Sequence, residues 1–309
     1  MKILRVVFIG EEHPHYTITK AFESGFEVDT IYWEEIETRQ LNSILIARVK
    51  AIKYDAVFMQ IQSNGIILPE TAKIMSEHTL VLNWTGDVRN DIIWYKQLAA
   101  YCITIFTNMT NVVEMQNEGY NAEYLQTGYD HNWYYNMNLE RQNGIVFCAN
   151  YYPSQHFPET NERLEVIRGL YHLPEFKLYG GGWEKFAMPQ KAISNREEAE
   201  TYNKNTLSIS VSHFNYSMYF SDRLLREMAC GSCVISHRFQ DFEETGLVEN
   251  KNIVFYDNIP NLLEKCHYYL NNKDEAIAIG KNAADFVANN YRWSNFVENL
   301  KKIIVKYGK

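Results

Sequence analysis

Arg223 and Glu227 stand four residues apart in the segment YFSDRLLREMACGSCVISHRFQ, so on a helix they share one face. Two readings of such a pair are open. On a solvated face it is an ion pair worth about 0.2–0.5 kcal/mol. In a binding site the guanidinium takes an anionic group and the carboxylate takes hydroxyls. Ser221 is a good N-cap and Asp222 lies in the first turn, so the helix would open with free backbone amides and a positive dipole end, a combination that suits an anion.

The same segment holds Cys230 and Cys233 in a C-x-x-C spacing. A zinc site needs about four ligands, and only one such pair is present, with His237 the nearest histidine. A redox pair belongs at a helix N-terminus, where the thiol pKa falls, yet Cys230 closes the expected helix Asp222–Cys230 and Gly231 stops it. Both cysteines are expected to be small buried hydrophobes.

Other candidates sit in loops after expected strands. GEEHPHY (Gly10–Tyr16) follows the first strand, and His13 or His15 there reads as a general base, a sugar ligand or a plain surface histidine. NWTGDVR (Asn83–Arg89) follows the fourth, where Asp87 either orients and deprotonates a substrate hydroxyl or is a turn aspartate beside Gly86. LYGGGW (Leu178–Trp183) either lies under a ligand or is a glycine turn. It lacks the Lys-Ser/Thr of a P-loop and the helix opening of G-x-G-x-x-G, which weakens ATP and NAD readings. Glu243 and Glu244, after the strand CVIS, read as a solvated acidic helix start or as contacts to sugar hydroxyls. No D-x-D occurs, so no metal is expected to bridge a diphosphate.

The elements that must position these residues alternate. Lys2–Ile9, Glu27–Tyr32, Asp55–Gln60, Thr79–Asn83 and Cys102–Phe106 read as parallel strands buried on both faces. Arg39–Ile52, Pro69–Glu77, Asp91–Ala100 and Thr110–Glu118, the last with Thr110 as N-cap, read as the helices between them. Gly128–Gly144 has no clear period and reads as a linker. A second set follows, with strands Gly144–Ala149, Glu175–Tyr179, Thr206–Val211, Cys233–Ser236 and Asn252–Tyr256. Its helices are Glu159–Leu170, Glu197–Lys204, Asp222–Cys230, Ile259–Leu270, Asp274–Ala288 and Ser294–Tyr307. The fold class is α/β: two Rossmann-like domains facing a cleft, residues 1–135 and 136–309, with the last helix packing back.

Composition sets the bounds. The chain has 309 residues, 22% of them charged and 46% hydrophobic, as in an ordinary globular protein. A net charge of −8 is unlike the basic footprint of a nucleic-acid binder or of a protein held on anionic membrane by bulk charge. The N-terminal apolar run, Val6–Ile9, is too short for a signal peptide, and five cysteines suggest a reducing compartment, so a cytoplasmic protein is expected.

The run Ser221–Gly231, followed by Val234–Ser236, resembles the S-D/N-R…E-x-x-A-x-G segment of group 1 glycosyltransferases, with the spore-maturation-type branch the nearest subset. The resemblance continues through NIVFYDNIPNLLEKCHYYLNNKDEAIAIGKNAADFVANNYRW and covers about half the chain, with weaker echoes at NWTGDVR and YLQTGYD. It implies the GT-B fold, with an N-terminal acceptor domain and a C-terminal domain that binds a nucleotide-sugar. It implies that Glu227 holds the donor ribose, that Ser221 and Asp222 meet the diphosphate through their backbone, and that Arg223 lies beside it. Gly10, Asn150, Gly180 and Gly181 complete the expected donor site, and His13, Asp87 and Arg223 the catalytic set.

Two departures stand out: Tyr219 occupies the place of a further glutamate found in many retaining members, and no Lys or Arg follows Ala149 before Arg163. The expected activity is transfer of a sugar from a nucleotide-sugar co-substrate, with no cofactor or metal required. The acceptor, whether glycan, protein, small molecule or modified nucleic acid, is not specified. A nucleotide-sugar epimerase and a non-catalytic nucleotide-sugar-binding protein are the alternatives, the latter kept open by Tyr219.

Overall fold

The computed structural model describes residues 1–8, 17–87, 92–153, 157–186, 188 and 191–308. The chain forms two units, Met1–Gly128 with Trp293–Lys309 and Tyr129–Arg292. The division falls at Gly128 rather than at 135, and the terminal helix belongs to the first unit rather than the second. Residues 129–141, read as linker, are part of the second unit.

The first unit holds a six-stranded sheet ordered β2-β1-β3-β4-β5-β6, with every pairing parallel. Its strands are β1 (Lys2–Val7), β2 (Glu27–Tyr32), β3 (Ala56–Met59), β4 (Leu80–Trp84), β5 (Ile103–Phe106) and β6 (Ala122–Tyr124). The apolar runs of β1, β3 and β5 are buried on both faces, which is what parallel strands covered by helices require. Between the strands lie α1 (Ile18–Gly25), α2 (Thr38–Ala51), α3 (Pro69–His78), α4 (Ile93–Ala99) and α5 (Met109–Asn117). The N-cap of α5 is Asn108 rather than Thr110: its Oδ1 accepts from Asn111 N at 2.8 Å. Leu41, Leu45, Ala72 and Met75 of α2 and α3 fill one face.

The other face is covered by α1 and by a helix at the opposite end of the sequence, α11 (Trp293–Tyr307). Phe22, Phe58, Trp84, Trp293 and Phe296 pack there, with ring centroids of Trp84 and Phe296 4.9 Å apart.

The second unit is a five-stranded parallel sheet ordered β11-β10-β9-β7-β8. Its strands are β7 (Gln142–Cys148), β8 (Phe176–Tyr179), β9 (Asn205–Ser210), β10 (Cys233–His237) and β11 (Val254–Tyr256). The helices are α6 (Thr160–Leu170), α7 (Asn195–Lys204), α8 (Asp222–Ala229), α9 (Ile259–Asn271) and α10 (Lys273–Asn290). One face buries Val166, Ile167, Leu262 and Cys266, the other Leu224, Leu225, Met228 and Val287.

In each sheet the chain first winds one way and then reverses. The reversal lies between β1 and β3 in the first unit and between β7 and β9 in the second. Loops diverge at such a switch point and leave a crevice at the carboxyl ends of the strands, where ligands bind in this class of sheet.

Candidate functional site

The β7–β9 switch point is where the second unit concentrates its unusual side chains. Arg223 spans it: Nη1 donates to Cys148 O at 3.3 Å, at the end of β7, and Nη2 to Val211 O at 3.1 Å, just past β9. Arg163, from α6, donates to the same Val211 oxygen through Nε at 3.0 Å and Nη2 at 2.7 Å. One carbonyl therefore accepts from two guanidiniums.

Glu227 lies one helical turn beyond Arg223, with its Oε1 3.8 Å from Arg223 Nε. The pair is not a surface ion pair: the side chain of Glu227 is 0% exposed and that of Arg223 11%. Among the described residues neither carboxylate oxygen of Glu227 makes a hydrogen bond of ordinary geometry, although the Ser210 hydroxyl stands close enough to lower its pKa. Burial pushes its pKa up to about 8; Arg223 opposes the shift and Glu198 reinforces it. A buried carboxylate with few donors is costly in its charged form, so burial favours the neutral acid.

Further polar atoms nearby also lack partners. The Ser221 hydroxyl makes no cap bond, although Ser221 does occupy the N-cap of α8. Its own amide donates to Ser212 Oγ at 3.2 Å. Asp222 turns back along α8 to Arg226, so only its backbone is left to meet a ligand at the helix start. His213 Nδ1 is unpartnered, and its ring stacks on Phe157 at 4.0 Å. Its pKa falls to about 2, first through burial and then through Arg163 and Arg223, so the imidazole is neutral.

A network behind α8 fixes the helix. Glu198 accepts from Tyr134 Oη at 2.5 Å, from Tyr202 Oη at 3.1 Å and from Arg226 Nη1 at 3.4 Å. The helix bearing Arg223 and Glu227 is thus held by buried polar bonds as well as by Leu224, Leu225 and Met228.

The glycines of LYGGGW have a structural account. A Cβ on Gly180, at φ +124°, would lie 2.1 Å from Ala149 O, and Gly182, at φ +87°, faces the Tyr151 backbone. Asn150 Oδ1 accepts from Gly181 N at 2.8 Å, and Trp183 Nε1 donates to Ala149 O at 2.7 Å. Asn150, Gly180 and Gly181 therefore zip the loops after β7 and β8 together at the carboxyl edge. Glu243 and Glu244 lie exposed on a short 3₁₀ turn.

The cysteine pair does no chemistry visible here. Cys230 and Cys233 are buried, burial pushes both thiols up, and Gly231 at φ +72° ends α8. No group of three or more His, Cys, Asp or Glu suited to a metal occurs among the described residues.

In the first unit, Asp87 is half-buried after β4, with its amide on Thr85 O at 2.7 Å. Gly86 takes φ +67°, and an added Cβ would meet Gln62 Nε2 at 2.7 Å, so the turn reading of Gly86 holds whatever Asp87 does. Gly10, His13 and His15 lie outside the described residues.

Arg163 and His213 were not singled out in the sequence, yet a signal for the first exists. Buried positions on α6 are Thr160, Arg163, Val166, Ile167 and Leu170, so a charged residue stands on the apolar stripe. The central strand β9 carries a similar signal in Thr206, Ser208 and Ser210, a polar row with period two inside a fully buried strand.

Residues 160–302 match the family model described as Glycosyl transferase-like, a segment that includes Arg163, Arg223 and Glu227. Over 99% of the chain the structure is similar to sucrose-phosphate synthase from Thermosynechococcus elongatus (TM-score 0.66, 12% identity, 98% of that chain). It is likewise similar over 99% to HepE of Anabaena, solved in complex with UDP (TM-score 0.63, 10% identity, 100% of that chain). A glycosyltransferase from Rickettsia africae also aligns over 99% (TM-score 0.61, 13% identity, 98% of that chain). No curated protein matches significantly in sequence. The fold these comparisons define is GT-B. Together with the matched segment it makes the protein a glycosyltransferase, in agreement with the resemblance to group 1 enzymes.

Proposed function

We propose that the protein transfers a sugar from a nucleotide-sugar donor held at the β7–β9 switch point. The observation that carries this reading is the fully buried Glu227 carboxyl, 3.8 Å from Arg223, with no hydrogen bond of ordinary geometry to either oxygen among the described residues and only the influence of the Ser210 hydroxyl beside it. Ribose hydroxyls supply the donors this carboxylate lacks, and a diphosphate supplies the anion for Arg223 and the uncapped start of α8. That HepE is solved with UDP supports a uridine donor as the first to test. Arg223 stabilises charge as it builds on the leaving diphosphate, so no metal is required. The first unit takes the acceptor, with Asp87 or His13 as the residue that orients or deprotonates its hydroxyl. The spore-maturation-type branch is the subset we assign.

The test is product formation from a panel of nucleotide-sugars, with and without candidate acceptors, and with EDTA present. Release of nucleoside diphosphate that rises with acceptor and survives EDTA is expected. Interconversion of the donor sugars without release would make the protein an epimerase, and binding without turnover a non-catalytic receptor.

A further inference from the structure

We propose that Arg163 is a positioning residue of the donor site, fixing the Val211 carbonyl on which Arg223 is mounted and adding a second buried positive charge toward a nucleoside diphosphate. The proposal rests on the donor reading of the β7–β9 switch point.

Three observations carry it. Arg163 is 2% exposed, and two of its nitrogens are spent on the single oxygen that Arg223 also uses. Satisfying one carbonyl needs one donor; two guanidiniums on it bring like charges together in the interior, which costs free energy unless an anion is there to meet them. Among the described residues no carboxylate forms an ion pair with Arg163, and Glu227, the one paired with Arg223, favours its neutral form. Two guanidiniums thus share the nearby carboxyl of Glu227, which leaves an excess of positive charge at this edge. Finally, residues 150–162 contain no Lys or Arg, so α6 is the first place after β7 from which a fixed positive charge reaches this edge. Burial first, and then the Arg223 charge, hold the Arg163 pKa well below its usual range, with Glu227 opposing.

The experiment compares Arg163→Gln, which keeps a donor for Val211 O but no charge, with Arg163→Lys, which keeps the charge. Affinities for UDP, ADP and GDP and for the matching nucleosides are measured by calorimetry, or by ligand-observed NMR where weak. Arg163→Gln is expected to lose roughly tenfold or more in affinity for the preferred diphosphate and under about threefold for its nucleoside. Arg163→Lys keeps the charge but not the two-nitrogen grip on Val211 O, and is expected to lose less diphosphate affinity than Arg163→Gln. Partial unfolding lowers the binding-competent fraction for both ligands alike and leaves the ratio of affinities unchanged, so the ratio reports charge and not fold.

Equal losses for diphosphate and nucleoside in Arg163→Gln overturn the proposal and leave the donor reading standing. Should Arg163→Gln not fold, Arg163→Lys decides: a loss of nucleoside affinity as large as that of the diphosphate makes the residue a packing element and overturns it. Wild-type protein that binds none of the three diphosphates overturns both this proposal and the donor reading.

Discussion

The two sheets share a winding plan but load their switch points differently. At the β7–β9 edge the protein gathers two guanidiniums, a buried carboxyl and a half-buried neutral imidazole. The described part of the first unit's edge sets one charged side chain, Asp87, among uncharged groups: Gln60 Oε1, Thr85 Oγ1 and Thr107 Oγ1 are buried without partners at the ends of β3, β4 and β5. Asn83, by contrast, is spent on the backbone of Ile61. The difference teaches that topology supplies the crevice while side chains choose the ligand. A charge-rich edge suits a diphosphate and a hydroxyl-rich edge suits a neutral partner.

Substitutions at the two edges sharpen this contrast. Arg223→Ala is expected to lower kcat by about 10²–10³, because the charge it meets develops as the donor bond breaks. Asp87→Asn is expected to lower transfer by about 10² while leaving donor affinity at the wild-type value. Steady-state kinetics with both substrates varied, alongside donor titrations, checks the pair; a donor-binding defect in Asp87→Asn would erase the division of labour.

Glu227→Ala is expected to weaken donor binding by roughly ten- to a hundredfold, from the loss of hydrogen bonds to the ribose hydroxyls worth about 0.5–1.5 kcal/mol each. Its isosteric partner Glu227→Gln tests the burial. With a folded pKa near 8 against 4.5 for the free side chain, wild-type protein holds a proton that the unfolded chain has released, so stability contributed by the neutral acid falls as pH rises from about 4.5 to about 8. Glu227→Gln should flatten that fall and melt higher than wild type near pH 8, as thermal melts across this range would show.

The smallest effect is expected from Cys230→Ser with Cys233→Ser. Catalysis should persist, with about 1–3 kcal/mol of stability lost to buried hydroxyls. Activity that responds to dithiol oxidation would show chemistry at this pair after all.

The sequence carried the alternation of strands and helices because most of the parallel strands are buried and written as apolar runs, and most elements fall within a residue or two of their expected spans; the edge strand β2, with Ile31 alone buried, shows in its β-branched residues instead. What it did not carry is short or non-local. β6 has three residues, of which Ala122 alone is buried, and α1 buries little beyond Ile18 and Phe22, so neither shows a period. The amphipathic face of α11 says that it packs, not on which sheet. At the site, Arg223 and Glu227 were legible as a spaced pair, but spacing is the same for a solvated and a buried pair; only the β9 edge and the network at Glu198 decide between them. Arg163 is distant in sequence from Arg223, and their shared carbonyl is a product of topology.

The path of the chain between the units has a consequence during synthesis. It leaves the first unit at Gly128 and returns at Trp293, and the two strands lie side by side there: Tyr129 bridges Arg292, and Gly128 packs so closely on Trp293 that a Cβ would sit 2.7 Å from the ring. The aromatic cover of the first sheet, Trp293 and Phe296, is thus made only after the whole second unit has been translated. At roughly 5–20 residues per second, the nascent first sheet waits on the order of ten to thirty seconds with Phe22, Phe58 and Trp84 uncovered. The second unit, contiguous in the chain, needs no such wait, so vectorial folding runs from the inserted unit outward.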